Sequence, residues 1–211
     1  MFRGFDAPSV ARFHDAALQA VAAGGFGNAG SARVWRAIEV NHRCNWLLWN
    51  EEDKARRRDV GAADIAASKR LIDQHNQRRN DAVETIDEAI LDQLHEHGQG
   101  GGTRLSSETA GAMIDRLSIL SLKVFHMRAQ TERGDAEAEH IASCHAKLQR
   151  LQAQRHDLVG CLDLLLTEAA SGRAYFKVYR QFKMYNDPTL NPYLYAQRAP
   201  VGAASRPEAG L

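Results

Sequence analysis

Proline is missing from the whole stretch between Pro8 and Pro188. A proline inside a helix removes a hydrogen bond and clashes with the preceding turn. Its absence leaves most of the chain free to form long helices. Cysteine is scarce too: Cys44, Cys144 and Cys161 are an odd count, with no CxxC pair and no zinc-finger spacing. That excludes a disulfide framework, and reduced thiols are expected. No segment approaches the run of about eighteen apolar residues that a membrane span needs. The opening residues Met1-Phe2-Arg3-Gly4-Phe5-Asp6 lack the basic and apolar regions of a secretory signal. The expectation is a cytoplasmic protein with no membrane span. Net charge is almost absent as well, with 27 Lys and Arg against 26 Asp and Glu. A nucleic-acid binder held by counterion release alone is excluded. Aromatic residues are absent between Trp49 and Phe125.

What fills the chain is helix-forming sequence, rich in Ala, Leu, Glu, Gln, Lys and Arg. No stretch keeps the two-residue alternation of a strand, so no sheet is expected. The punctuation divides five helices. Pro8 sits at the start of the first, about 9–23. Ser31 is the expected N-cap of the second, which runs to about residue 58. Gly61 separates it from the third, about 62–97, and Gly98-Gln99-Gly100-Gly101-Gly102 is the clearest loop. The fourth covers about 108–132 after Ser106 and Ser107. Gly134-Asp135 precedes the fifth, which Gly172 stops at about residue 170. The segment 175–185 interleaves Tyr and Phe with Lys177, Arg180 and Lys183, and has room for one more short helix. Asn186-Asp187-Pro188 and Asn191-Pro192 are turn signals that close it. Residues 197–211 read as a disordered tail. The expected fold is all-α: a single-domain antiparallel helical bundle of about five long helices over residues 1–196, with an aromatic C-terminal strap.

The apolar stripes of three helices are interrupted. A buried stripe advances by three or four residues. On the second helix it reads Val34, Ile38, Asn41, Asn45, Leu48, Glu52, Ala55, with Trp35, His42, Trp49 and Arg56 in the adjacent row. On the third it includes Asn76 and Arg79, flanked by Asn80. The fourth is apolar almost all round, which marks it as central. It nevertheless carries Asp115, with Arg116 and Lys123 sharing one face at a seven-residue spacing. An unsatisfied buried polar group costs roughly 1–3 kcal/mol. Two readings account for so many. Asn and Arg side chains can tie the helices into one register, or they can line a polar ligand site between helices two, three and four.

Glu39-x-x-His42 and Glu137-x-x-His140 match the carboxylate–imidazole spacing of di-iron bundles. The remaining ligands are missing, so no metal is assigned and the cofactor is left open. Neither a phosphate loop nor a GxGxxG pattern occurs. The aromatic-basic mixture of 175–185 is of the kind that binds single-stranded nucleic acid. A strap over the bundle end, with Lys and Arg tips in water, is the favoured reading, and no nucleic-acid partner is expected. A strap can lend Lys183, Tyr185 and Asn186 to a cleft.

Three segments in order carry a resemblance. They are Asn41–Arg56 with Asn76–Asp81; Glu108-Thr109 with Ile114–Lys123; and Gln181–Pro188 with Leu190-Asn191-Pro192. Together they resemble a bacterial family of helical proteins classed as a domain of unknown function, over most of residues 30–196. The resemblance implies a helical fold and a similar length. It also implies a setting among glycosyltransferase genes for cell-surface polysaccharide, and it supplies no catalytic residues. Ala110 stands where that family's pattern has Pro, which concerns a helix start.

Two functions compete. In the first, the protein binds or acts on a phosphorylated metabolite, a nucleotide-sugar or sugar phosphate. Arg56, Arg79, Arg116 and Lys123 would neutralise phosphate. His42 with Glu52 or Asp53 would be the acid–base pair, and Asn41, Asn45, Asn76 and Asn80 would orient hydroxyls. In the second, the protein is a non-catalytic module docking on a glycosyltransferase or on a second copy of itself. The sequence does not decide whether it is an enzyme.

Overall fold

The computed structural model describes residues 5–25, 30–96, 103–182, 184 and 187–196. Its helices are α1 (Ala7–Ala22), α2 (Arg33–Lys54), α3 (Ala62–Glu96), α4 (Ala110–Thr131), α5 (Ala138–Ala170) and the short α6 (Pro192–Tyr195). Five long helices and an all-α architecture are what the residue pattern implies. Among the described residues no helix is long and apolar enough to cross a membrane. The chain divides into two compact units, residues 1–179 and 180–211.

Local chemistry sets the helix ends. Asp6 caps α1 by accepting the Ser9 N–H at 2.6 Å, with Pro8 in the first turn. The expected cap of α2 at Ser31 is displaced by one residue. Ala32 holds the cap position without a side-chain bond, and Arg36 donates instead to the Ser31 carbonyl. Thr109 caps α4 by accepting the Ala112 N–H at 3.1 Å. Gly172 takes φ 69° just past α5, a conformation that suits glycine at a helix C-terminus.

The first unit is built from two helical hairpins. α2 packs along α3, and α4 along α5. Both connections are short, which makes the paired helices antiparallel neighbours. α1 lies against α4 and α5. α4 touches all four other long helices, as its nearly all-round apolar surface requires. Ile38, Ile86, Ile90, Ile114, Leu117 and Leu162 are fully buried at the centre. Each such side chain contributes about 1.5–3 kcal/mol by leaving water.

Three expectations are corrected. A sheet does form: β1 (Arg104–Leu105) pairs in parallel with β2 (Ala174–Tyr175). Two residues are too few to show an alternation, so the pattern could not reveal them. The pair ties the entry to α4 to the exit from α5, and Arg104 reinforces it with an ion pair to Glu168. Tyr175 is therefore in a strand. Residues 176–182 form no helix, although Phe176 is buried in the core. In the second unit, Asn191-Pro192 begins a helical turn where a bare turn was expected. The Asn191 side chain caps α6 by accepting the Tyr193 N–H at 3.0 Å. The tail expected over 197–211 lies outside the described residues.

α3 and α4 meet backbone to side chain at Gly111, whose N–H donates to the Asp87 carboxylate at 2.6 Å. A Cβ there would lie 2.5 Å from the Val83 carbonyl oxygen and 2.9 Å from the Asp87 carboxylate carbon. Because a carbonyl on a packed helix cannot swing aside, Gly111→Ala is expected to destabilise the protein by about 1–3 kcal/mol, the range for overpacking. A urea unfolding midpoint equal to wild type would show that the helices separate freely.

Candidate functional site

The polar residues of the stripes form one connected network at the crossing of α2, α3 and α4. Asp115 Oδ1 accepts the side-chain N–H groups of Asn41 and Asn45, both at 2.8 Å. Arg79 Nε lies 3.9 Å from the same oxygen. Asn45 also donates to Ser118 Oγ at 3.0 Å, and Ser118 Oγ is 2.8 Å from His42 Nδ1. A serine hydroxyl both donates and accepts, so this contact forms with either nitrogen of the ring protonated. The ring of His42 stacks on that of His14 from α1, with centroids 4.5 Å apart. Neither nitrogen of His14 has a hydrogen-bond partner among the described residues.

Burial governs the titration of these groups. It pushes His42 down to about 4, against a hydrogen bond to the His14 backbone that raises it. Burial lowers His14 too, helped by His42 and Arg155. Asp87 goes the other way, raised to about 6 by burial despite hydrogen bonds from Thr109 and Gly111.

The network draws in Asn41, His42, Asn45, Arg79 and Asp115. Asn80 is buried and Asn76 is half-buried. Glu52 and Arg56 instead pair with each other at 2.7 Å on the exposed end of α2. The buried carboxylate there is Glu51, which accepts from Lys54 at 2.7 Å and from Ser68. Ten residues separate His42 from Glu52, about 15 Å along a helix. Lys183, Tyr185 and Asn186 lie outside the described residues. Among the described residues no group of three or more His, Cys, Asp or Glu side chains could hold a metal ion.

Arg116 and Lys123 sit elsewhere, in a groove between α4 and α5. On α4 its wall reads Met113, Arg116, Leu120, Lys123, Met127, Gln130, and on α5 Lys147, Leu151, Gln154, Leu158, Cys161. Both advance by three and four residues, the spacing of two packed helices. Alternate positions are charged or polar, so the seam fails to close and leaves two adjoining cavities. One, of about 550 Å³, is walled by Trp49 and Asp53 of α2 and by His126, Arg150 and Lys147. The other, of about 690 Å³, holds Glu108, Arg116, Asp157 and Cys161. Lys123 and Gln154 line both. His126 stacks on Trp49, with centroids 4.5 Å apart and an interplanar angle of 1°. Burial lowers the His126 pKa, against a rise from Asp53.

A family model described as "Protein of unknown function (DUF4254)" matches residues 35–178. The chain belongs to this family. No curated protein and no solved structure matches it. The matched span begins in α2 and covers both the network and the groove. The DUF4254 segment thus contains every residue assigned to the groove.

The α5 half of the groove was missed in the sequence. Its signal is present, since Leu151 and Leu158 keep a seven-residue stripe whose alternate positions, Lys147, Gln154 and Cys161, are not large apolar residues. It is the same broken stripe that α4 carries.

Two stability outcomes follow from these contacts. Asn45→Ala leaves Asp115 and Ser118 each short of a donor and should cost about 1–3 kcal/mol, whereas Arg56→Ala should stay within about 0.5 kcal/mol, as exposed substitutions do. Equal losses in urea unfolding would remove the distinction. For pH, a lowered histidine pKa stabilises fully above about 6.5 and loses that contribution as pH falls, about 3 kcal/mol for His42 by pH 4. The raised Asp87 contributes below about 3.8 and loses its share as pH rises through about 6. The two oppose each other between pH 4 and 6. Asp87→Asn, which keeps the acceptor for Gly111, should therefore lose stability more steeply than wild type on acidification. Superimposable pH–stability curves would contradict this.

Proposed function

We propose that the α4–α5 groove binds a phosphorylated small molecule, a nucleotide-sugar or sugar phosphate. One observation carries the reading. Lys123, Lys147 and Arg150 line one cavity, and among the described residues none of them has a carboxylate within ion-pair distance. In the adjoining cavity, by contrast, Arg116 is paired with Glu108. Three cations that share a cavity with the single carboxylate of Asp53, and pair with none, favour an anion from solution. Arg and Lys are the side chains that hold phosphate, Arg through paired N–H groups. The apolar floor of Met127 and Leu151 and the indole of Trp49 fit the rule that ligand sites are mostly apolar with a few placed polar groups.

In this reading Asp53, Arg116 and Lys123 belong to the binding groove. Asn41, Asn45, Arg79, Asp115 and His42 hold the helices in register behind it. Binding is the proposed activity. His42 is too enclosed and too far from Glu52 to serve as half of an acid–base pair. Such ligands are made and consumed in the cytoplasm, and the family's implied setting in surface-polysaccharide assembly uses them.

Thermal shift tests the proposal. Inorganic pyrophosphate or a nucleoside diphosphate at a hundredfold its dissociation constant should stabilise the protein by about 2.7 kcal/mol. The K147A/R150A double variant should lose the shift, and Arg57→Ala, remote from the groove, should retain it. If no phosphorylated compound shifts wild type, the reading is wrong, and a docking module for a glycosyltransferase or a second copy takes its place.

A further inference from the structure

The two cavities share Lys123 and Gln154 but differ in charge. The first carries Lys123, Lys147 and Arg150 against Asp53. In the second, Arg116 is already neutralised, its Nη1 donating to both Glu108 oxygens at 2.6 and 2.8 Å. Asp157 there opposes Lys123 in sign and has no hydrogen bond or ion pair among the described residues. One arm is thus cationic and flanked by an indole, while the other is balanced and presents a free carboxylate beside the Gln154 amide.

An anion belongs in the first arm and is repelled by the carboxylate of the second. A carboxylate accepts hydrogen bonds and donates none when ionised. Asp157 therefore asks for donors that carry no negative charge, which sugar hydroxyls supply. The Gln154 amide offers both a donor and an acceptor to the same hydroxyls. Each arm falls within the roughly 300–1,000 Å³ of a small-molecule site. From Met113 to Gln130 the α4 wall runs for about 25 Å at the rise of an α-helix. The cationic arm also holds more than phosphate needs. Trp49 has one face covered by the parallel imidazole of His126, which stiffens it as a flat platform.

The geometry points to one two-ended ligand, a nucleoside diphosphate sugar lying along the groove. The diphosphate sits on Lys123, Lys147 and Arg150, the base lies against Trp49, and the sugar occupies the second arm with its hydroxyls on Asp157 and Gln154. Asp157 is the specificity-determining residue, which reads the sugar and leaves the nucleotide to the other arm. The assignment rests on the phosphate reading above and goes further by fixing the ligand's direction and its neutral end.

Isothermal titration of the full chain separates the two ideas. The probes are pyrophosphate, the uracil, guanine and adenine nucleoside diphosphates, and the matching nucleoside diphosphate hexoses. For the preferred base, wild type should bind the hexose conjugate at least tenfold more tightly than the bare diphosphate. Asp157→Asn, at an exposed site where the fold is not at stake, should cut that ratio to within twofold of unity. Lys147→Ala should weaken the bare diphosphate and the conjugate by the same factor, tenfold or more. Equal affinity of wild type for the bare and conjugated forms overturns the two-ended ligand while leaving the phosphate site standing. So does an Asp157→Asn loss that is the same for both. A conjugate that binds wild type no better than buffer, together with inert pyrophosphate and diphosphates, overturns both.

Discussion

The Asp115 carboxylate sets the geometry of everything around it. One oxygen accepts two amide donors from α2 and faces the guanidinium of α3. A carboxylate placed there must be satisfied or it costs several kcal/mol. Satisfying it fixes how α4 is rotated about its own axis. Once Asp115 and Ser118 face α2, the helical repeat turns Arg116, Leu120 and Lys123 toward α5. The inner network and the outer groove are two faces of one helix, and the first determines the second. Gly111 adds distance to this control of angle, letting α4 come close enough to α3 for the Asp87 contact.

The groove itself is a packing seam left partly open. Two antiparallel helices with large apolar residues at every stripe position would close on each other. Here Arg116, Lys123 and Gln130 alternate with Met113, Leu120 and Met127, and α5 answers with Lys147, Gln154 and Cys161. The apolar positions are enough to hold the hairpin together. The polar ones keep it from closing along its length.

Much of this architecture is legible in the residue pattern alone. Five helices and the centrality of α4 follow from spacing, glycine positions and the lack of proline, while the expected loop over 98–102 lies outside the described residues. Asn41, Asn45 and Arg79 stand out because polar groups break apolar stripes, and the structure brings them together with Asp115. The seven-residue relation of Arg116 to Lys123 is visible as well. Pairing is what a linear pattern does not encode. A stripe states that a face is covered, but not by which helix, so Lys147, Arg150 and Asp157 have no evident link to Lys123. The stripe favours Glu52 over Glu51 because one residue shifts a helix face by about 100°, and α2 is rotated enough to bury its neighbour. His14 escapes notice because a lone histidine on an apolar helix carries no periodic signal, and β1 and β2 are too short to leave one.

α1 lies outside the span that defines the family, yet it is no appendage. Phe5 and Phe13 set their rings edge-on to Trp35, and Val10 joins the central cluster. His14 covers the ring of His42, from which the chain of hydrogen bonds runs to Asp115. The boundary of recognisable kinship and the boundary of cooperative folding therefore fall in different places. A fragment cut to the family span would keep every groove residue and still present an uncovered imidazole and a torn apolar face. For engineering, the smallest portable form of this domain starts before Phe5, not at Trp35.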